Sequence, residues 1–459
     1  MNKLQAGFSK VNINPPMGTP INGYYKPRHV EGFLDDLEVV ALALRVENTT
    51  TVMLSADICF IHTPTCLLLR QAVADATGLP LDAVFLHTTH THTAPQVGDF
   101  TNTGEYEFPE QETLLKEYFE FLCRRLADAA TLAIADLKEA KMGWAVGNAP
   151  KISFVRRFRM KDGKVRTNPG VGNPDILHPI GDVDERVNVL RFDRADDTLV
   201  LVNFGCHPDT VGGSLASGDW PGFLRRRLEK SLDNVKCIFF NGAQGDVNHV
   251  NVNAKGGDFN DTFHDFDDVD RGYGHARHMG NVVAGAVLQV YDKVNYTDVD
   301  SLRFLTKTAR LLSNMPTAEE LPLARKYNEL HLAGRDADIP FEGMELTTVV
   351  AEAARMLHLE HGPEFFDTKL SALAIGNIAL FAIPGEPFTG IGRGLKAAEG
   401  WTLVLPMCLT NGDVGYFPMK DAYDEGGYEA RSSEYRAGTA EQIIEEGTIL
   451  LNELRDSAV

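Results

Sequence analysis

Three of the 14 histidines in the chain, His87, His90 and His92, fall within six residues, and no other segment is as rich in potential metal ligands. An apolar run at residues 83–86 leads into them and Pro95 follows, a pattern typical of a buried strand that opens into a loop. In an extended backbone His90 and His92 point the same way, so both imidazoles can bind one metal ion, or one can bind while the other handles protons. Three clustered imidazoles are costly to bury unless something is bound. The segment therefore favours a metal site at a strand end.

More polar side chains follow apolar runs that are typical of strands. These runs cover residues 198–206, 235–240, 378–383 and 402–409, and the polar residues that follow them are His207, Asp246, Glu386 and Tyr416. Because binding sites collect where strands end, we expect these side chains to share one cleft with the histidines. Two histidines, one carboxylate and an open position make a catalytic zinc site, and zinc lowers the pKa of bound water to about 7. Metal-dependent hydrolysis is therefore a function that the residues alone support.

The composition excludes two classes of partner. The chain has 459 residues, 44% of them apolar, and a formal net charge of −20. Nucleic acids and anionic membrane surfaces are bound by basic faces, so a small-molecule substrate is expected instead. No apolar run approaches the roughly 18 residues of a membrane-spanning helix, and residues 1–8 lack the basic and apolar regions of an export signal. We therefore expect no membrane insertion, and a homo-oligomer is compatible with the sequence.

The cysteines indicate the compartment. They stand at positions 59, 66, 123, 206, 237 and 408, without a Cys-x-x-Cys pair, and most lie inside apolar runs. Scattered thiols of this kind are typical of reduced core residues rather than of a disulfide framework. The expected localisation is therefore cytoplasmic.

Strand and helix patterns alternate along the chain, which predicts an α/β fold with mixed sheets and flanking helices. Apolar runs predict strands at residues 37–46, 51–56, 83–86, 141–146, 198–206, 235–240, 370–375, 378–383 and 402–409. Helical spacing predicts helices at residues 63–76, 109–137, 219–232, 273–291, 319–332, 345–359 and 437–454. The metal site is expected at the carboxyl ends of several strands. No internal repeat or flexible linker is present, so a single catalytic domain over residues 1–459 is predicted.

Four segments call for separate interpretation. Residues 14–25 are rich in proline and glycine and are predicted to form a loop over another part of the fold. The basic segment 154–168 carries Arg156 and Arg157, for which a solvated hairpin and a functional role are equally open. The acidic run 258–270 favours a solvated loop over a calcium site, because no calcium-ligand spacing is recognisable. Residues 303–359 are predicted to form a strand followed by the two helices given above, carry no spacing that suggests chemistry and are expected to be scaffold.

Five short motifs together resemble the neutral ceramidase family. They are His90-Thr91-His92, Cys206-His207-Pro208, Gly242 to Val247, Pro384-Gly385-Glu386, and the segment from Gly415-Tyr416 to Tyr428-Glu429. They occur in the family's order, and residues 12–16 and Gly23-Tyr24 are also similar to that family's start. The resemblance spans residues 7–428. It implies an enzyme, because family members hydrolyse the amide of an N-acylated sphingoid base.

The resemblance also implies a zinc ion and roles for individual residues. The implied zinc ligands are His90, His207, Glu386 and Tyr416. His92 is similar to the family's proton-handling histidine beside the metal. Arg156 stands where the family places an arginine near the reacting group, with Arg157 as an alternative register. Tyr428 stands where a second active-site tyrosine is expected.

The chain departs from that family at two places. Asn248 stands where the family's Gly-Asp-Val is followed by a serine assigned to catalysis, and an amide cannot be an alkoxide nucleophile. A zinc-activated water is therefore expected to attack, while Asn248 can donate a hydrogen bond to the substrate carbonyl. We also expect no counterpart of the β-sandwich domain that follows the catalytic domain in full-length ceramidases. A soluble N-acyl compound is therefore a more reasonable substrate than ceramide.

Other functions stay open at this point. The same metal can serve an esterase, a lactonase or a glycosidic-bond hydrolase, and a protein without the family's serine can also bind metal without turnover. His92, Arg156 and Tyr428 favour an enzyme, since a metal holder needs neither a general base nor a carbonyl-polarising donor beside the ion. We therefore expect a zinc-dependent, ceramidase-like amidase.

Overall fold

The computed structural model describes residues 4–98, 109–253, 262–267 and 269–457. The strands within them are, in chain order, β1 (Gln5–Asn12), β2 (Gly32–Phe33), β3 (Glu38–Val46), β4 (Thr49–Ala56), β5 (Val84–Thr88), β6 (Lys138–Glu139), β7 (Lys141–Asn148), β8 (Phe154–Val155), β9 (Arg157–Met160), β10 (Val165–Thr167), β11 (Ile176–Pro179), β12 (Arg186–Asp193), β13 (Thr198–Phe204), β14 (Leu215–Ala216), β15 (Val235–Asn241), β16 (Val247–Asn248), β17 (Phe263–His264), β18 (Asp270–Arg271), β19 (Asn295–Thr297), β20 (Leu302–Leu312), β21 (Phe365–Ile375), β22 (Ile378–Ala382), β23 (Glu386–Pro387), β24 (Leu403–Met407) and β25 (Tyr416–Phe417).

Helices alternate with these strands. The α-helices are α1 (Thr63–Thr77), α2 (Pro109–Ala135), α3 (Asp219–Ser231), α4 (Tyr273–Val290), α5 (Leu321–Leu332), α6 (Gly343–Leu359), α7 (Thr389–Lys396), α8 (Lys420–Glu425), α9 (Tyr428–Ser432) and α10 (Thr439–Asp456). Short 3₁₀ turns cover Leu81–Ala83, Tyr291–Lys293 and Asp336–Asp338. In the parts of the chain that the structure describes, no helix has both the length and the apolar character needed to cross a bilayer.

Three large sheets share one strand order. The orders are β5-β4-β3-β1, β15-β13-β12-β7 and β24-β22-β21-β20, and the first two sheets each gain a short strand, β6 or β19, at the far edge. Neighbouring strands are antiparallel except for one parallel pair per sheet, β4–β5, β13–β15 or β22–β24. Each sheet and its two helices form what we call a unit. The first unit has α1 and α2, the second α3 and α4, and the third α7 and α10.

The parallel pair explains why every unit contains a crossover helix. Two parallel strands cannot be joined by a tight turn, so the chain must cross back over the sheet. Helix α1 joins β4 to β5, α3 joins β13 to β15, and α7 joins β22 to β24. Each unit therefore presents two carboxyl strand ends side by side, the location at which sheets of this kind bind ligands.

The three sheets pack around one common core, and helices cover their outer faces. All three sheets contribute side chains to the common core, while each outer face forms a separate core with the two helices of its own unit. In Glu38–Val46, for example, Val39 and Ala41 face the helices whereas Val40 and Leu42 face the common core. Burial on both faces explains why these strands are almost continuously apolar.

Two glycines allow the covering helices to lie directly on the sheets. A Cβ at Gly7 in β1 would lie 2.0 Å from the carbonyl oxygen of Ala133 in α2. A Cβ at Gly147 in β7 would lie 2.5 Å from the carbonyl oxygen of Ala286 in α4. Both distances are far below van der Waals contact, so the first and second units need glycine on corresponding strands, each where a helix crosses.

The predicted fold class is confirmed: mixed sheets alternate with helices that flank them. Two elements that complete the units escaped prediction. Strand β12 has charges at Arg186, Arg191 and Asp193 that interrupt its apolar pattern. Helix α7 has the sequence TGIGRGLK, and its glycines disfavour a helix in isolation. The structure thus repeats a topology for which the sequence shows no repeat.

Candidate metal centre

Three potential ligand atoms meet where the carboxyl strand ends of the units come together. His90 follows β5 in the first unit, His207 follows β13 in the second, and Glu386 follows β22 in the third. Oε2 of Glu386 lies 3.2 Å from Nε2 of His90 and 3.0 Å from Nε2 of His207. All three residues are buried, and their ligand atoms lie within 4.8 Å of one another. The group can hold a metal ion.

The other ring nitrogen of each histidine is fixed by a backbone carbonyl. Nδ1 of His90 donates to the carbonyl of Cys59, and Nδ1 of His207 donates to that of Gln244, each at 2.8 Å. In the neutral rings the hydrogen is therefore on Nδ1, and the Nε2 lone pairs face Glu386. Nε2 of Gln244 also donates to Oε2 of Glu386 at 3.2 Å. Neighbouring groups orient metal-binding side chains in this way.

The charges of the cluster are compatible with a cation. Burial alone would lower the pKa of His90, but Glu386 raises it well above its usual value. Burial would raise the pKa of Glu386, and the two histidines hold it well below its usual value instead. Burial, together with Arg156, lowers the pKa of His207 to about 4. Positive charge is therefore stabilised between these groups, and a metal ion there would replace the proton of His90.

Two tyrosines lie at the outer side of the cluster. The hydroxyl of Tyr416 is 3.4 Å from Nε2 of His207, and the two rings are stacked at an angle of 12°. Tyr416 reaches this place because β25 pairs in parallel with β23, which sets it opposite Glu386. Tyr428 begins α9, and its ring centre lies 5.6 Å from that of Tyr416. Both tyrosines are partly exposed, so they line the mouth of the site.

The structure places Arg156, and not Arg157, against the cluster. Nη1 of Arg156 lies 3.4 Å from Nε2 of His207, and its Nε donates to Glu429 at 2.6 Å. Arg157 points away and pairs with Glu425 at 3.2 Å. Successive residues of an extended segment face opposite sides, which explains why only one of the two arginines reaches the site.

His92 lies beside the ligands, with its Nε2 3.2 Å from Nε2 of His90. The extended backbone predicted for this pair is wrong, because His90 has a φ of +73°. Backbone hydrogen bonds stabilise the left-handed turn: the amide of His90 donates to the carbonyl of Ile58, and that of His92 donates to the carbonyl of Pro208. The imidazoles converge nevertheless, and the His92 ring lies beside the potential ligands.

The third histidine of the run, His87, does not belong to the cluster. Its Nδ1 lies 3.1 Å from the hydroxyl of Ser55, and its Nε2 accepts a hydrogen bond from the backbone of Asn241 at 3.0 Å. Burial lowers the pKa of His87 to about 3. This histidine is neutral and joins the first unit to the end of β15 in the second.

Asn248 is buried in the short strand β16, next to β8. Its Nδ2 donates to Oδ1 of Asn168 at 3.0 Å, and its own Oδ1 accepts from the backbone of Val250 at 3.0 Å. Among the described residues, no hydrogen bond or ion pair joins Asn248 to the ligand cluster. The hydrogen bond that it was predicted to donate to the substrate stays a prediction.

Three residues of the site had been given no role: Cys59, Gln244 and Asp209. They follow β4, β15 and β13, so the strand-end rule that selected the ligands also applies to them. Cys59 forms a second group of potential ligands with His90 and His92. Burial raises the pKa of the Cys59 thiol, which disfavours the thiolate that a metal requires.

The acidic run 258–270 is described only in part, because residues 258–261 and 268 lie outside the described residues. The calcium alternative for this run is therefore left untested. For Asp267 the expected solvated loop is wrong: the carboxylate is buried and pairs with Arg271 at 2.7 and 2.8 Å. Asp265 lies 3.5 Å from the same guanidinium.

The fold of the chain is similar to that of solved ceramidases. A neutral ceramidase from Pseudomonas aeruginosa matches with a TM-score of 0.73 and 16% identity, over 100% of this chain and 76% of that one. A ceramidase complexed with C2 matches with a TM-score of 0.67 and 16% identity, over 100% of this chain and 77% of that one. Neither a family model nor a curated protein matches the chain. The resemblance to neutral ceramidases is thus confirmed in the fold.

Proposed function

We propose that the protein is a zinc-dependent hydrolase, a ceramidase-like amidase that cleaves the amide bond of a soluble N-acyl compound with a zinc-activated water. The observation that carries the proposal is the convergence of His90, His207 and Glu386 from three separate sheets, with His92 and Arg156 beside them. A protein that only held a metal would need the three ligands and neither of the other two groups. The proposed catalytic unit is a single domain over residues 1–459.

The donor atoms favour zinc over the other common divalent ions. Two imidazole nitrogens and one carboxylate oxygen form a frequent catalytic zinc set, whereas calcium and magnesium prefer oxygen ligands throughout. The Tyr416 hydroxyl supplies a further oxygen 3.4 Å from Nε2 of His207. The proposed zinc ligands are therefore His90, His207, Glu386 and Tyr416.

The catalytic groups are assigned from their positions around the ligands. Zinc, when bound, supplies a Lewis acid that lowers the pKa of water to about 7. Nε2 of His92 is placed to accept a proton at the reacting centre and to pass it to the leaving group. Arg156 is fixed through its Nε by Glu429, so its guanidinium can donate to the carbonyl oxygen as negative charge develops there. Tyr428 can donate a second hydrogen bond from the mouth of the site.

The proposed setting is the cytoplasm, with a small-molecule substrate and without nucleic acid or membrane insertion. The net charge of −20 disfavours polyanionic partners through repulsion. All six cysteines are free thiols, as is common in a reducing compartment. A homo-oligomer is compatible with this setting.

The test is a metal and substrate screen on the purified full chain. We expect elemental analysis to find about one zinc per chain. We also expect hydrolysis of a soluble N-acyl amine or N-acyl amino acid that a chelator abolishes and added zinc restores. Matched esters of the same acyl groups serve as the control for bond type. Activity that survives complete metal removal would overturn the zinc assignment, and hydrolysis confined to the esters would overturn the amidase assignment.

A further inference from the structure

The far side of the His92 ring faces a carboxylate that the proposed function has not used. Nδ1 of His92 is buried 3.5 Å from Oδ1 of Asp209, and among the described residues it has no hydrogen-bond partner. A buried ring nitrogen without a partner is costly, and hydrogen bonds at catalytic sites are often long before substrate binds. We propose that Asp209 is the positioning residue for His92: it accepts a hydrogen bond from Nδ1–H and thereby directs the Nε2 lone pair at the reacting centre. This inference rests on the proposed function.

Asp209 is itself held rigidly. Nε and Nη2 of Arg271 donate to its two oxygens, each at 3.0 Å, and the hydroxyl of Tyr24 donates to Oδ1 at 2.6 Å. Arg271 is completely buried and pairs on its other side with Asp267. A carboxylate bound at both oxygens by a buried guanidinium cannot rotate away from His92. Asp267, through Arg271, is thus part of the support for the histidine.

The ring of His92 is confined from the other side by the proline- and glycine-rich loop near the amino terminus. A Cβ at Gly23 would lie 2.8 Å from Nδ1 and 2.9 Å from Cγ of His92, so only glycine, here at a φ of +107°, lets the loop approach this closely. Nη2 of Arg28 donates to the carbonyl of His92 at 2.7 Å. The Tyr24 ring packs 5.5 Å from the imidazole. With its backbone and its ring both held, His92 keeps Nδ1 toward Asp209.

This arrangement assigns different work to the two ring nitrogens. When Nδ1 keeps its hydrogen and donates a hydrogen bond to a carboxylate, Nε2 carries the lone pair and can act as the base. An amide in place of the carboxylate would present hydrogens to Nδ1 and force the ring hydrogen onto Nε2, which removes the base without removing the histidine. Asp209→Asn changes only one oxygen to an NH₂ group. It therefore tests, with little change in shape, whether Asp209 determines which ring nitrogen of His92 carries the hydrogen.

The first experiment reads the ring directly and needs no substrate. The zinc-loaded full chain is labelled with nitrogen-15 histidine, and two-bond proton–nitrogen spectra report which ring nitrogen carries hydrogen, with His92→Gln used to assign the signal. We expect Nδ1–H in the wild type and Nε2–H in Asp209→Asn. The same tautomer in both proteins would overturn the proposal, whether or not any hydrolytic activity is found.

The second experiment uses turnover of whichever substrate the screen identifies. We expect Asp209→Asn to lower kcat by about 10²–10⁴-fold with KM and zinc content nearly unchanged, because a misdirected general base loses about that much. In a His92→Ala background the same substitution should have no further effect, since the residue through which Asp209 acts is gone. Two losses that multiply would mean that Asp209 acts independently of His92, and the proposal would fail.

A matched control and a milder variant complete the test. Asp265 lies 3.5 Å from Arg271 without contacting Asp209 or His92, so we expect Asp265→Asn to leave kcat within about twofold. If Asp209→Asn does not fold, Tyr24→Phe removes the hydroxyl that donates to Asp209. Its smaller loss of kcat should likewise vanish in the His92→Ala background, and a loss that persists there would contradict the positioning role.

Discussion

The first and third units have the same topology and differ in what their strand ends carry. Each has three antiparallel strands, a crossover helix, a parallel strand and a covering helix. The first unit places two imidazoles, His90 and His92, at the common centre, whereas the third places the Glu386 carboxylate and the Tyr416 phenol there. Topology thus decides where side chains meet, and the few residues after each strand decide their chemistry.

The two units also differ in the helix that joins their parallel strands. Helix α1 has 15 residues, whereas α7 has 8 and carries three glycines within them. A Cβ at Gly392 in α7 would lie 2.6 Å from Cβ of Ala243, in the loop after β15 of the second unit. The third unit therefore packs closely against the second at the expense of helix propensity. This close packing brings Gly245, in the same loop after β15, next to Glu386 at the candidate metal centre.

The largest effect should come from removing the ligand of the second or the third unit. We expect His207→Ala and Glu386→Ala to lose zinc and with it all measurable turnover, because each removes one of the four proposed ligands and no spare donor replaces it. Elemental analysis after dialysis measures the zinc content, and circular dichroism verifies that the variants are folded. The core strands behind both residues are untouched, so the fold should persist.

His87→Gln is the matched control for these variants. His87 is a buried histidine close to the ligands, but its partners are Ser55 and Asn241. Zinc content should stay at about one per chain, with a loss of stability of about 1–3 kcal/mol from the disturbed hydrogen bonds. A folded His207→Ala or Glu386→Ala variant that kept full zinc occupancy would show that the replaced residue is not a ligand.

The contrast between the three histidines shows how far the sequence could lead. Their density, together with the strand-end positions of His207 and Glu386, was enough to predict a shared metal site. The two-residue spacing selected His90 and His92, but the sequence could not show what His87 does, because its hydrogen bonds to Ser55 and Asn241 are long-range contacts. The left-handed turn at His90 was also hidden, since distant carbonyls stabilise it. The threefold topology leaves no sequence repeat because equivalent strands need only be apolar on both faces.

The next largest effect should separate the two imidazoles of the first unit. We expect His92→Ala to lower kcat by about 10²–10⁴-fold while zinc stays bound, because the proposed function makes His92 a base and not a ligand. Paired measurements of zinc content and single-turnover rate distinguish this from ligand loss. If zinc and activity fell together, His92 would be a ligand, and the first unit would supply both of its imidazoles to the ion.

A smaller effect should distinguish the two neighbouring arginines that follow β8. Arg156→Lys keeps the charge but loses the fork that holds Glu429 and faces His207, so we expect about a hundredfold loss in kcat. Arg157→Lys is the matched control, because its partner is Glu425, away from the cluster. Its kcat should change by less than about threefold. Equal losses of kcat in both variants would mean that the basic segment affects turnover by supporting the local structure. They would contradict a specific role for the Arg156 guanidinium at the site.

The smallest effect is expected at Asn248, where the resemblance to ceramidases breaks. Both polar atoms of its side chain have partners, Asn168 and the backbone of Val250, and Asn168 in turn donates its backbone amide to the carbonyl of Arg156. Asn248→Ala should therefore loosen the loop that supports Arg156, slowing turnover by less than about the hundredfold that a lost oxyanion donor costs. Steady-state kinetics with zinc content measured on the same sample tests this. A loss above a hundredfold with zinc retained would show that the Asn248 amide leaves Asn168 to contact substrate. A covalent acyl-enzyme trapped by rapid quench would instead require a nucleophile among residues given no such role, and the role proposed for water would then be wrong.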